Sequence, residues 1–126
     1  GYTQLALLEK ANLDAKLKNY DEALYNFNEL IMLTDGARDN KIFNKISRVS
    51  ASRILLSLER YDEALSMIEK YSLGDTNAPI HELAGDILFK QGKVNLAINQ
   101  YEAAEEKYTD QTSKSIISMK IASISN

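Results

Sequence analysis

Cysteine is absent from this chain, so disulfides, thiol nucleophiles and thiolate metal sites are excluded, although the compartment is not fixed by that alone. Histidine occurs once, at His81. A zinc site or a base-activated nucleophile needs partners that a lone imidazole lacks, so a surface or packing role is expected for it. The single proline, Pro79, leaves long helices unbroken. The five glycines are scattered and form no phosphate-cradling loop. No run approaches the roughly 18 apolar residues that span a bilayer, and no signal-peptide pattern opens the chain. The net charge of −3 over 126 residues gives no drive towards nucleic acid. Asp and Glu are plentiful, but their spacing matches solvated helix faces. No catalytic, cofactor or metal-binding residue is expected.

What is present is repetition. Tyr20-Asp21-Glu22-Ala23-Leu24 returns as Tyr61-Asp62-Glu63-Ala64-Leu65, and a degraded copy, Val94-Asn95-Leu96-Ala97-Ile98, follows Gly92-Lys93. The alanines Ala23, Ala64 and Ala97 are 41 and then 33 residues apart. A fixed period of this size signals stacked helical units, each burying a face against the next. The acids Asp21, Glu22, Asp62 and Glu63 suit the positive end of a helix and read as helix starts, not as paired catalytic carboxylates.

Apolar periodicity predicts helices over 3–18, 21–34, 38–59, 61–72, 78–91, 93–108 and 112–124. Thr34-Asp35-Gly36 reads as a stop and Ser72-Leu73-Gly74-Asp75-Thr76-Asn77 as a loop. Asn77 and Asp110 are candidate N-caps, with Pro79 in a first turn. The helix over 38–59 carries Ile42, Ile46 and Val49 on one stripe and Ala51, Leu55 and Leu58 on another, which implies contacts on two sides. The fold class is all-α, a single domain over 1–126 of about three helix-turn-helix units plus a C-terminal capping helix, seven helices in an α-solenoid.

The residues around the alanines resemble the tetratricopeptide repeat (TPR) family. Ala23, Ala64 and Ala97 fill its small helix-crossing position. The bulky position four residues on is Phe27, Ile68 and Tyr101, and three further come Leu30, Tyr71 and Ala104. In the leading helices the small position is Ala11, Ser52 and Gly85. The later large position is Leu55 and Leu88 in two units, but Asp14 in the first, with Lys10 at another usually apolar place, so the first helix is expected to have a wetter face. The resemblance implies partner binding on a concave surface. By register this surface comprises Leu5, Leu8, Asn12, Ile46, Val49, Arg53, Leu56, Glu82, Asp86 and Phe89, as a peptide groove. The alternative is that the terminal helix 112–124 folds over this surface.

One charge feature is also legible. Residues 37–60 hold six basic side chains (Arg38, Lys41, Lys45, Arg48, Arg53, Arg60) against Asp39 and Glu59. Lys41, Lys45 and Arg48 share one face, either as a docking patch for an acidic partner or anionic head groups, or as an ordinary solvated face.

A narrower resemblance covers nearly the whole chain. Leu7-Leu8-Glu9-Lys10-Ala11, Asn19-Tyr20-Asp21-Glu22-Ala23, Leu58-Glu59-Arg60-Tyr61, Glu82-Leu83-Ala84-Gly85-Asp86-Ile87-Leu88 with Gln91-Gly92-Lys93, and Ser118-Met119-Lys120-Ile121 together resemble the periplasmic domain of the ancillary SecYEG translocon subunit family, the YfgM-like proteins of Gram-negative bacteria. That resemblance implies a non-catalytic interaction domain linking the SecYEG translocon to a membrane-anchored periplasmic chaperone for exported proteins. It also implies a bacterial inner-membrane protein whose soluble domain lies in the periplasm. The chain begins at Gly1, so it is expected to be a fragment, with the N-terminal anchor outside it as the sole link to the membrane. The alternative is a soluble cytoplasmic TPR scaffold or secretion chaperone.

Overall fold

A computed structural model of the chain describes residues 3–36, 41–71 and 77–125. Among these the secondary structure is all-helical: α1 (Gln4–Lys16), α2 (Tyr20–Thr34), α3 (Lys41–Ser57), α4 (Tyr61–Ile68), a short 3₁₀ turn (Glu69–Tyr71), α5 (Ala78–Lys90), α6 (Val94–Lys107) and α7 (Gln111–Ile124). The expected start of α3 at 38–40, the charged Arg38 and Asp39, and the loop residues 72–76 lie outside the described residues. The chain divides into two compact units, Gly1–Arg60 and Tyr61–Asn126.

The helices begin where local chemistry offers acceptors for free N–H groups. Thr3 accepts from Ala6 N, Asn77 from Ile80 N and Asp110 from Ser113 N, which bears out the caps expected at Asn77 and Asp110. Asp62 does more than start a helix: it accepts a hydrogen bond of 2.6 Å from Gln91 Nε2 in the turn after α5.

Three helices end in the same way, and this shortens the expected spans. Lys18, Glu59 and Gly92 all have a left-handed backbone, at φ 63°, 62° and 80°. Around each, two backbone hydrogen bonds close the helix: Asn19 N to Asp14 O and Lys18 N to Ala15 O, Arg60 N to Leu55 O and Glu59 N to Leu56 O, Lys93 N to Leu88 O and Gly92 N to Phe89 O. This paired bonding is the Schellman termination. It stops α1 and α3 two residues before the expected ends at 18 and 59. The stop after α2 forms where expected, with Thr34 Oγ1 donating to Leu30 O at 2.6 Å.

In unit 1, α2 packs against α1 and α3. Ala11, Ala23, Phe27, Leu30 and Ala51 are fully buried at the centre. Burial of each large apolar side chain stabilises by roughly 1.5–3 kcal/mol relative to exposure. The wetter face of α1 exists and is used: Asp14 accepts from buried Asn26 Nδ2 and from Lys10 Nζ, both at 3.1 Å. The two-sided burial expected of α3 is not met on its first stripe. Ile42 is 74% exposed, while Ala51 and Leu55 on the other stripe are buried.

In unit 2, α5 packs on α4 and α6, and α6 on α7. Leu88, Ala97, Tyr101, Ala104 and Ile117 form one cluster of its core, flanked by Leu65, Tyr108, Ile121 and Ile124. Gly85 of α5 faces a side chain of α6. A Cβ added there would stand 2.5 Å from Tyr101 Cε1. The ring therefore lies on the α5 backbone, and its hydroxyl reaches the next residue, donating to Asp86 Oδ1 at 2.5 Å.

Candidate functional site

Two places in the molecule gather the residues expected on the binding surface, one in each unit. In unit 1 a cleft of about 250 Å³ is lined by Asn12 and Ala15 of α1, Tyr20 and Phe27 of α2, and Ser50, Arg53, Ile54 and Ser57 of α3. Helical spacing explains the α3 contribution, since Ser50, Arg53 and Ser57 recur at i, i+3 and i+7 and share one face. Phe27 and Ile54 form an apolar floor, and Asn12 and Arg53 are exposed above it. Among the described residues, no Asp or Glu lines this cleft.

In unit 2 the corresponding α5 face is occupied from within. Lys120 of α7 places its Nζ 2.7 Å from Glu82 Oε2 and 3.0 Å from Asp86 Oδ1. Tyr108 donates to Glu82 Oε1 at 2.6 Å, and Tyr101 to Asp86. The Lys120 ammonium also stands 5.7 Å from the Tyr101 ring centroid. Burial opposes the charge on Lys120, but its hydrogen bonds to Glu82 and Asp86 and the charges of those groups outweigh it. Its ammonium is therefore held above the ordinary lysine range. The Tyr101 phenol is pushed well above its usual range, first by burial and then by its bond to the Asp86 carboxylate.

The residues expected on the concave surface therefore differ in what they offer. Leu8 is buried in the core of unit 1, while Val49 and Leu56 are half-buried. Leu5 and Ile46 are exposed, at 53% and 39%. Asn12 and Arg53 meet at the unit 1 cleft. Glu82 and Asp86 are held by α7, which thus covers part of the face of α5, and Phe89 is exposed. The cations Lys41, Lys45 and Arg48 are not equivalent. Lys41 is exposed, but Arg48 forks onto Asp35 at 3.2 Å and donates to Asn44 Oδ1, leaving its side chain 17% exposed. His81 is buried, with Nδ1 2.8 Å from Gln100 Oε1, so its role is in packing.

Sequence reasoning missed Lys120, and missed Tyr20, Ser50 and Ser57 as cleft residues. Ser50 and Ser57 could have been found by extending the Arg53 stripe one step each way. Lys120 carried no such signal, because its partners lie 34 and 38 residues away. Among the described residues, no three His, Cys, Asp or Glu side chains cluster as metal ligands. No described helix is long and apolar enough to cross a membrane.

Comparison with known families matches residues 1–126 to a family described as a tetratricopeptide repeat-like domain. No curated protein matches the chain.

Proposed function

The chain belongs to the tetratricopeptide repeat-like domain family, and from that premise we propose that it is a non-catalytic protein-interaction domain that joins the SecYEG translocon to a membrane-anchored periplasmic chaperone. Domains of this family are interaction modules, and among the described residues no His, Cys, Asp and Glu cluster of metal-ligand type competes with that role. The single observation that carries the binding reading is the open unit 1 cleft, where Asn12 and Arg53 stand over an apolar floor. The translocon and chaperone as partners, and a periplasmic domain anchored in the inner membrane, are supported by the resemblance of the residue blocks from Leu7-Leu8-Glu9-Lys10-Ala11 to Ser118-Met119-Lys120-Ile121 to the YfgM-like family.

The test is site-specific photo-crosslinking in cells with the full-length protein. A crosslinker at Ile46, exposed beside the cleft on α3, is expected to capture translocon subunits or a periplasmic chaperone. One at Met32, on the opposite helix α2 and 75% exposed, is expected to capture neither. Equal capture at both positions, or no protein adduct at Ile46, would sink the binding reading. Recovery of the full-length protein in the soluble cytoplasmic fraction would leave a scaffold of another compartment, and the Sec assignment would fall.

A further inference from the structure

Leucines stand on both sides of α1. Leu8 and Ala11, its buried residues, face the core of unit 1. Leu5, Leu13 and Leu17 are each more than half exposed. Leu17 belongs to the same surface because its N–H still bonds to Leu13 O and continues the last turn. With Glu9 and Lys16 these leucines follow at i, i+4, i+8, i+11 and i+12. All five therefore fall within about a third of the helix circumference, on the side away from Leu8 and Ala11. A lone exposed leucine is ordinary, but a contiguous apolar stripe marks a contact surface.

The two charges in this stripe are not used by the fold. Lys10, on the neighbouring face, pairs with Asp14 at 3.1 Å. Among the described residues, neither the Glu9 carboxylate nor the Lys16 ammonium has a hydrogen-bond or ion-pair partner. Seven residues separate them, about 10 Å along the axis, so they cannot meet within one helix.

The order of the stripe selects what answers it. From its N-terminal end it runs leucine, acid, leucine, base, leucine. In reverse the apolar positions repeat and the charges exchange. A second copy lying antiparallel thus sets a base against an acid twice. With a two-fold axis beside residues 12 and 13, Glu9 stands opposite Lys16 of the second copy, and Lys16 opposite Glu9 of the second copy. Leu13 then meets Leu13 of the second copy. Leu5 lies about 4.5 Å along the axis from Leu17 of the second copy, less than one helical turn. A contact in which one patch meets itself is how most homodimers close. The other outward apolar faces lack this reciprocity. Tyr25 and Met32 are exposed on α2, which holds Asp21, Glu22 and Glu29 but no Lys or Arg. Ile116 and Met119 are exposed on α7, which holds Lys114 and Lys120 but no acid.

We propose that the outer face of α1 pairs two copies of this chain, antiparallel across a two-fold axis beside Leu13, with Glu9 of each copy opposite Lys16 of the other. The helix has 13 residues and is about 20 Å long, so the contact is small and the dimer weak, with a dissociation constant on the order of 100 µM.

The experiment is sedimentation equilibrium of the 126-residue protein from about 10 µM to about 1 mM, a range chosen to bracket that constant. The average mass is expected to rise with concentration from 14.2 kDa towards twice that value. Glu9→Lys and Lys16→Glu should each weaken association about tenfold, because two exposed ion pairs become two like-charge contacts. An equimolar mixture of these two variants should regain the original affinity, since each supplies the charge that the other lacks. Leu13→Gln, at the axis, should weaken association at least as much as either charge variant. All three side chains are exposed, so the variants are expected to keep the helical circular dichroism of the parent. A mass that stays at 14.2 kDa up to about 1 mM overturns the proposal. So does a dimer that Glu9→Lys and Leu13→Gln leave unchanged, which would place the contact on another face. A mixture that associates no better than its components overturns the reciprocal register. Capture at Ile46 tests the protein-binding reading separately, and neither result depends on the other.

Discussion

Gly85 shows how one missing side chain organises its surroundings. A glycine inside a helix normally destabilises it by about 0.5–1 kcal/mol relative to alanine. Here the deficit is outweighed, because the space a Cβ would fill is taken by the buried Tyr101 ring. That approach is what lets the Tyr101 hydroxyl reach Asp86, and Asp86 in turn receives Lys120. Gly85→Ala is therefore expected to destabilise the protein by roughly 1–3 kcal/mol, as overpacking does, despite the better helix propensity of alanine. A urea midpoint shifted down with an unchanged slope is the result to look for. A shift upwards would mean that the ring has room to move. The polar pair Asp14–Asn26 illustrates the converse at this scale: a charged residue at an apolar position of the repeat is tolerated because an amide on the facing helix answers it.

At the scale of elements, the repeated turn is the feature that the residue types least disclose. Gly92 announces a left-handed position, but Lys18 and Glu59 hold the same conformation without being glycine. For residues with a Cβ this conformation is strained by roughly 1 kcal/mol. Lys18→Gly and Glu59→Gly should each raise stability by about 0.5–1 kcal/mol, the relief of strain being partly offset by the entropy of the unfolded chain. Gly92→Ala should lower it by a similar amount. Thermal denaturation of the three variants checks the set, and a lowered melting temperature for both glycine variants would contradict the shared turn. The sequence did place these turns indirectly. They fall five residues before Ala23, Ala64 and Ala97, so the same 41-then-33 spacing measures them. Their conformation was not legible because tertiary packing of the flanking helices overrides the local preference of Lys and Glu.

Over the whole molecule, the helices were legible because nearly all are amphipathic with a 3.6-residue period, and the buried alanine register fixed which faces meet. The site was legible only in part. Leu8 and Leu5 have the same chemistry, and only the fold buries one and exposes the other. The state of Glu82 and Asp86 depends on α7, whose Lys120 is distant in sequence. That same cluster sets how the molecule responds to alkali. The folded pKa of Lys120 is raised, so its contribution to stability is complete below the unfolded lysine value, about 10.4, and is lost as pH rises through the folded one. Tyr101 acts in the same sense. Folding favours its neutral phenol, so its contribution is complete below the unfolded tyrosine value, about 10, and falls as pH climbs above it. Stability should therefore be steady from neutral pH to about 10 with respect to these two groups, and decline beyond that. Lys120→Met should weaken the protein by roughly 1 kcal/mol at neutral pH, a modest loss because Glu82 and Asp86 remain partly exposed to water. It should also flatten the alkaline decline. Denaturation curves at pH 7, 9 and 11 for both proteins separate these effects. An identical pH dependence in the variant would show that the Lys120 contacts do not persist in solution.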